Sequence, residues 1–177
     1  MSPGLRFIIA NALLFQIGWF VCILGGDLWA LIFTGAVLAG HFWFSPCKRN
    51  DLLALIIALG IGLIHDTLLI ALGYIRFVET TWLPPLWLVC IWVLFGISLL
   101  HSLNWVYQRI WFAAALGIIA GPLSYVAGVS LSTAEWGASL WELIPVIALM
   151  WLLVLPVHRF IYLRLSHVLF IKSFPYS

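Results

Sequence analysis

Short polar breaks divide the chain into six apolar stretches, at about residues 5–25, 28–45, 52–74, 84–104, 109–130 and 138–157. Each is close to the roughly 20 residues an α-helix needs to cross a hydrocarbon layer about 30 Å thick. The breaks are Gly25-Gly26-Asp27, the run Ser45-Pro46-Cys47-Lys48-Arg49-Asn50-Asp51, the stretch from Tyr74 to Pro85, Asn104 to Arg109, and Ser130 to Gly137. Connections this short make successive helices antiparallel neighbours. Hydrocarbon cannot hydrogen-bond exposed backbone, so the predicted class is all-α: a polytopic transmembrane helical bundle of six spans. The bundle is expected over residues 1–157. Residues 158–177 form a basic tail in which Phe160, Ile161, Leu165, Val168 and Leu169 alternate with basic groups, the pattern of a helix lying along the membrane surface.

The basic residues orient this bundle. Alternating the loops between two sides puts Arg6, Lys48, Arg49, Arg109, Arg159, Arg164 and Lys172 on one face and Arg76 alone on the other. Short loops rich in Lys and Arg stay in the cytoplasm, which predicts cytoplasmic N- and C-termini. An odd number of spans would scatter these charges. The first apolar run is longer than the 7 to 15 residues of a signal-peptide core and reads as a retained span. Trp29, Trp82, Trp87, Trp105, Trp111, Trp136 and Trp141 fall near span ends, where indoles anchor helices at headgroup level.

Composition makes the membrane reading a requirement. Of 177 residues, 65% are hydrophobic and 8% charged, with a mean hydropathy of +1.17. A soluble domain carries roughly 25% charged residues. The net charge of +2 implies no nucleic-acid partner. Cys22, Cys47 and Cys90 have neither disulfide nor zinc spacing, and no metal site or cofactor is expected from them.

Ionisable groups inside hydrocarbon are costly, which makes each of them a candidate site. The sharpest are His65 and Asp66 in the third stretch, proposed as proton-handling groups. Adjacent helical residues point about 100° apart, so each is expected to need its own partner. Tyr125 and Glu142 fall at comparable depth, so an outer-half polar cluster of His65, Asp66, Tyr125 and Glu142 is expected, with Gln16 nearer the midplane; Gln16, Tyr125 and Glu142 are its ligand-binding candidates. A second cluster is expected from Asn11, His41, Ser98, His101 and Asn104, the last three on adjoining faces of one helix. Interhelical hydrogen bonding accounts for such residues as well as ligand binding does.

Gly117, Gly121 and Gly128 line one stripe of the fifth stretch and suit close helix approach, including contact with a second copy or a membrane partner. Pro122 withholds an amide donor and predicts a local kink. There are no spaced histidine boxes, no His-Glu-x-x-His, no Gly-x-Ser-x-Gly elbow and no glycine-rich phosphate loop.

One combination is more specific. Asn11 with Phe15-Gln16-x-Gly18-Trp19, His65-Asp66 followed by Gly73, Pro85-Leu86-Trp87-Leu88 with Trp92 and Phe95, and Gly121-Pro122-Leu123-Ser124-Tyr125 with Gly128 resembles domain of unknown function 2878 across nearly the whole chain. The resemblance implies a multi-pass protein of the bacterial inner membrane, with no assigned activity and a place beside fatty-acid-modifying enzymes. Three functions stay open: binding or modifying a lipid or other apolar molecule within the bilayer, proton- or cation-linked transport, and a non-catalytic membrane scaffold.

Overall fold

A computed structural model describes residues 3–78 and 82–169. In chain order the elements are α1 (Pro3–Phe44), α2 (Lys48–Ala71), β1 (Ile75–Arg76), α3 (Leu86–Ser98), α4 (Asn104–Tyr107), α5 (Ile110–Leu131), β2 (Glu135–Trp136) and α6 (Leu140–Val168). The fold is all-α apart from a two-residue antiparallel bridge that pairs Ile75 with Trp136 and Arg76 with Glu135. Among the described residues four helices, α1, α2, α5 and α6, are long and apolar enough to cross a membrane.

α1 is a hairpin. Gly26 sits at φ 66° and ψ −168°, a conformation that costs glycine little and other residues much. The chain doubles back there, bringing the Phe7 ring within 5.5 Å of His41. A continuous helix would hold those rings roughly 50 Å apart at about 1.5 Å per residue. The two arms, residues 3–25 and 27–44, match the first two apolar stretches of the sequence.

The fourth stretch departs from expectation. A single helix over 84–104 was predicted, but α3 ends at Ser98, spanning about 20 Å at 1.5 Å per residue. Residues 99–103 form turns before α4 begins. The reason is local competition for hydrogen bonds. Ser98 Oγ donates back to Leu94 O at 2.9 Å, while the amides of His101 and Leu103 both donate to Ser98 O. Asn11 from the first arm of α1 completes the exchange, donating to Ile97 O at 3.3 Å and accepting from Ser102 Oγ at 2.6 Å. Ser98, His101 and Asn104 therefore do not share one helix.

α3 lies at the centre, packed between α1 and α2, and α2 in turn meets α6, which packs along α5. Leu94, Ile97, Leu99 and Leu100 are almost fully buried, whereas Ile17, Leu24, Ile64, Leu123 and Leu149 face outward. Apolar surface thus covers the outside while Asp51, Asp66, His101 and His158 are inside. That arrangement suits an apolar solvent.

Three glycines let indoles and backbone approach closely. A Cβ at Gly62 would collide with the Trp92 indole, and one at Gly121 with the Trp151 indole. At Gly117 it would lie 2.5 Å from Trp151 O. The two indoles stack on each other with centroids 5.5 Å apart and planes 18° apart. The Gly117–Gly121 part of the small-residue stripe is therefore filled by Trp151 of the same chain, and Gly128 faces Ile23.

The ends of the bundle are capped in different ways. At one end α2 stops in a Schellman turn, with Tyr74 N donating to Leu69 O, Gly73 N to Ile70 O, and Gly73 at φ 73°. There Asp27 accepts from Trp87 N at 2.9 Å, satisfying an amide in the first turn of α3. Trp87 is buried against Phe77, so it is a core residue and not the interfacial anchor expected. Trp29, Trp82, Trp105, Trp111 and Trp141 are exposed. The opposite end carries Arg6, Lys48, Arg49, Arg109, Arg159 and Arg164; Lys172 lies outside the described residues.

α6 runs unbroken past residue 158 to Val168. His158, Tyr162 and Ser166 recur every four residues and are buried. His158 Nε2 donates to Ala54 O at 2.9 Å, and Asn50 Nδ2 donates to Tyr162 Oη at 2.8 Å. The described part of the basic tail is thus docked against α2 as a continuation of α6. Residues 170–177 lie outside the described residues.

Two substitutions test this packing. Asp27→Ala removes a capping acceptor and should lower stability by about 1 kcal/mol, read as a reduced melting temperature in detergent, with Asp27→Asn retaining most of it. Gly62→Ala drives a methyl group into the Trp92 ring and should destabilise by about 1–3 kcal/mol. An unchanged melting temperature for Gly62→Ala would contradict the indole seat.

Candidate functional site

Gly62 and Asp66 are one helical turn apart on α2, and Gly121 and Tyr125 are one turn apart on α5. Each glycine seats an indole beside the polar residue that follows it. Trp92 Nε1 thereby donates to Asp66 Oδ2 at 2.7 Å. Tyr125 Oη donates to Asp66 Oδ1 in a short hydrogen bond. His65 Nδ1 lies 2.8 Å from the same Oδ1 and 3.1 Å from Tyr125 Oη. Two donors, the Trp92 indole and the Tyr125 hydroxyl, thus converge on the Asp66 carboxyl, and the His65 ring lies against the same Oδ1. Among the described residues His65 Nε2 and Trp151 Nε1 are buried without a hydrogen-bond partner.

His65, Asp66 and Tyr125 meet in one site, although adjacent helical residues point about 100° apart. The 100° describes Cβ directions alone. Side chains of this length bend toward each other, and Tyr125 closes the gap from α5.

A cavity of about 470 Å³ opens beside this cluster. Phe15, Gln16, Trp19 and Ile23 of the first α1 arm face Leu116, Gly117, Ala120, Leu123, Ser124 and Gly128 of α5 across it. Trp92, Phe95 and Trp151 form its back, Ile75, Phe77 and Trp87 one end, and Leu103, Val106 and Tyr107 the other. Trp19 Nε1 donates to Ser124 Oγ at 3.2 Å across the two walls. Tyr125, on the cavity wall, is the link between this apolar space and the Asp66 carboxylate.

A second buried cluster lies at the basic end. Asp51, in the first turn of α2, is completely buried between two histidines. His41 Nε2 is 2.9 Å from Oδ2, and His101 Nε2 is 2.9 Å from Oδ1. Ser45 Oγ donates to Oδ2, and Cys47 Sγ lies 3.5 Å from Oδ1. The Phe7 ring packs on both imidazoles, with centroids 5.5 Å and 4.9 Å away. The break after Ser98 turns His101 toward Asp51.

Nearby, Tyr107 Oη donates to His158 Nδ1 at 2.8 Å while the ring's Nε2 donates to Ala54 O. Arg159 Nη1 donates to the carbonyls of Tyr107 and Gln108 and fastens α4 to α6.

The candidates from sequence are thus dispersed. His65, Asp66 and Tyr125 come together, and Gln16 stands on the rim of the same cavity. Glu142 does not join them. It is exposed in the first turn of α6, where a carboxylate complements the helix dipole. Asn11 supports the α3 break, and His101 belongs to the Asp51 cluster. Asp51 itself went unrecognised because it stands among loop residues next to Lys48 and Arg49. A His at the end of one stretch followed ten residues later by Asp was the available signal. His158 and Tyr162 were hidden by assignment to a surface tail.

Neither the curated proteins nor the solved structures yield a match to this chain. A family model does match, over residues 8–157, which include His65, Asp66, Tyr125, His41, Asp51 and His101. The chain belongs to the family described as Protein of unknown function (DUF2878).

Proposed function

We propose that this protein crosses a bacterial inner membrane six times, with both ends in the cytoplasm, and binds a lipid-class molecule in the cavity beside Tyr125. The arms of α1 with α2, α3, α5 and α6 supply the six crossings, α3 being carried across by the turns and α4 that follow it. The cluster of basic residues at one end supports the orientation.

The observation that carries the binding reading is the cavity's chemistry. Its 470 Å³ falls within the roughly 300–1,000 Å³ of small-molecule sites, and its walls are aliphatic and aromatic except for a few hydroxyl and amide groups. Because α1 and α5 meet only lightly, the space between them offers lateral entry from the bilayer. An acyl chain or other apolar body fits the long axis from Trp87 to Tyr107. The Tyr125 hydroxyl, polarised by Asp66, then meets a polar head or functional group. The His65 ring lies against both the Tyr125 hydroxyl and Asp66, a grouping suited to orient a ligand and to exchange a proton with it.

Native mass spectrometry of the detergent-purified protein should find one lipid class that persists through delipidation. Ala120→Trp, which fills the cavity from α5, should reduce retention about tenfold or more, equivalent to 1.4 kcal/mol or more. Tyr125→Phe should weaken retention less while leaving a folded protein. Equal retention by the parent and Ala120→Trp, both monodisperse, would sink the binding reading. In intact cells, tags in the Lys48-Arg49 turn and after Ser177 should be shielded on the same side. Labelling of one and not the other would overturn the six-span arrangement.

A further inference from the structure

The Asp51 cluster has no part in the cavity reading, yet its geometry is more ordered than helix cross-linking requires. Three separate segments deliver one group each: His41 from the last turn of α1, Asp51 from the first turn of α2, and His101 from the turn after α3. Both imidazoles present Nε2, and both point at one carboxylate. The three ligand atoms lie within 4.8 Å of one another, and all three residues are buried. We propose that His41, Asp51 and His101 bind one divalent transition-metal ion of the zinc or ferrous-iron class.

The donor set selects that class. Two imidazole nitrogens and one carboxylate suit borderline first-row ions, whereas magnesium and calcium take oxygen ligands. The spacing also fits. Two ligands each about 2.1 Å from an ion stand roughly 3.0–3.4 Å apart for angles of 90–109°. The His–Asp separations of 2.9 Å are already near that range. The ion takes the Nε2 lone pair of each ring, and the single proton of each neutral imidazole then sits on Nδ1.

The surroundings resemble a supported ligand shell. Ser45 and Cys47 hydrogen-bond the carboxylate from the α1–α2 connection, and Phe7 fixes both ring planes. Such outer contacts orient ligands and tune affinity. A second cavity, of about 410 Å³, lies between the α1 arms and α3 with His41, Asn11 and Ser98 on its wall. It gives an ion or an exogenous ligand a way to the His41 side of the cluster. Three protein ligands leave coordination positions for water or substrate, as in catalytic sites of this type.

The test uses full-length protein purified in detergent without a histidine tag, stripped with chelator and equilibrated with Zn²⁺. Elemental analysis should find one zinc per chain, and X-ray absorption at the zinc edge should show imidazole scattering. Co²⁺ in place of zinc should give visible ligand-field absorption. Asp51→Asn and His101→Ala should weaken binding by about 10–100-fold or more, while His65→Ala, in the other cluster, keeps the full complement. The proposal fails if the parent retains no zinc, or if Asp51→Asn and His101→Ala retain as much as the parent. Should those variants not fold, the imidazole signature of the parent decides: its presence with one equivalent of zinc supports the site, and its absence overturns it. Lipid retention is measured separately, so either reading can fail without the other.

Discussion

A helix interrupted inside an apolar bundle must have its freed amides and carbonyls satisfied from within, because lipid supplies no partner. The break in α3 at Ser98 is the point on which this architecture turns. It is tolerated because α3 is central, enclosed by α1 and α2, and because Asn11 reaches the exposed backbone from the neighbouring arm. An unbroken helix over the same stretch would leave His101 one face away from Asp51. The short α3 therefore trades one turn of regular hydrogen bonding for the side-chain geometry at the basic end.

Glycine performs a related service on the other side of α3. Packing of α2, α3, α5 and α6 is set by two flat indoles lying in the notches at Gly62 and Gly121. Trp92 binds a buried carboxylate through Nε1 while its ring forms cavity wall. The same residue thus satisfies a charge and presents an apolar surface. This explains how a buried aspartate is accommodated: its oxygens meet the Trp92 indole, the Tyr125 hydroxyl and the His65 ring, all carried on aromatic frames.

Polar punctuation made the six arms readable, since a charged or glycine-rich break in an otherwise apolar chain has few places to go. The Gly26 reversal and the Gly73 helix end lie where those breaks fall. The Ser98 break was not readable, because Asn11, which completes the hydrogen bonding there, is 86 to 91 residues away in sequence. His65, Asp66 and Tyr125 were recognisable one by one as polar residues at matching depth. Their grouping followed from that depth, but which atoms bond, and that Glu142 stays outside, did not, because helix rotation is decided by packing at Gly62 and Gly121. Asp51 shows the opposite failure: a carboxylate beside Lys48 and Arg49 reads as a solvated loop charge until the fold encloses it.

The segment from Leu99 to Tyr107 joins the two candidate sites into one piece of architecture. Leu99, Leu103, Val106 and Tyr107 face the large cavity, while His101, two residues from either leucine, points to Asp51. Tyr107 is held in turn by His158, and its carbonyl by Arg159. A ligand that reaches the cavity's basic end touches the turn that sets the His101 ring. Displacing that turn would move a cavity wall and a histidine together, since the short turn leaves little slack between them. The irregular backbone after Ser98 is thus the shared boundary of the apolar cavity and the Asp51 cluster.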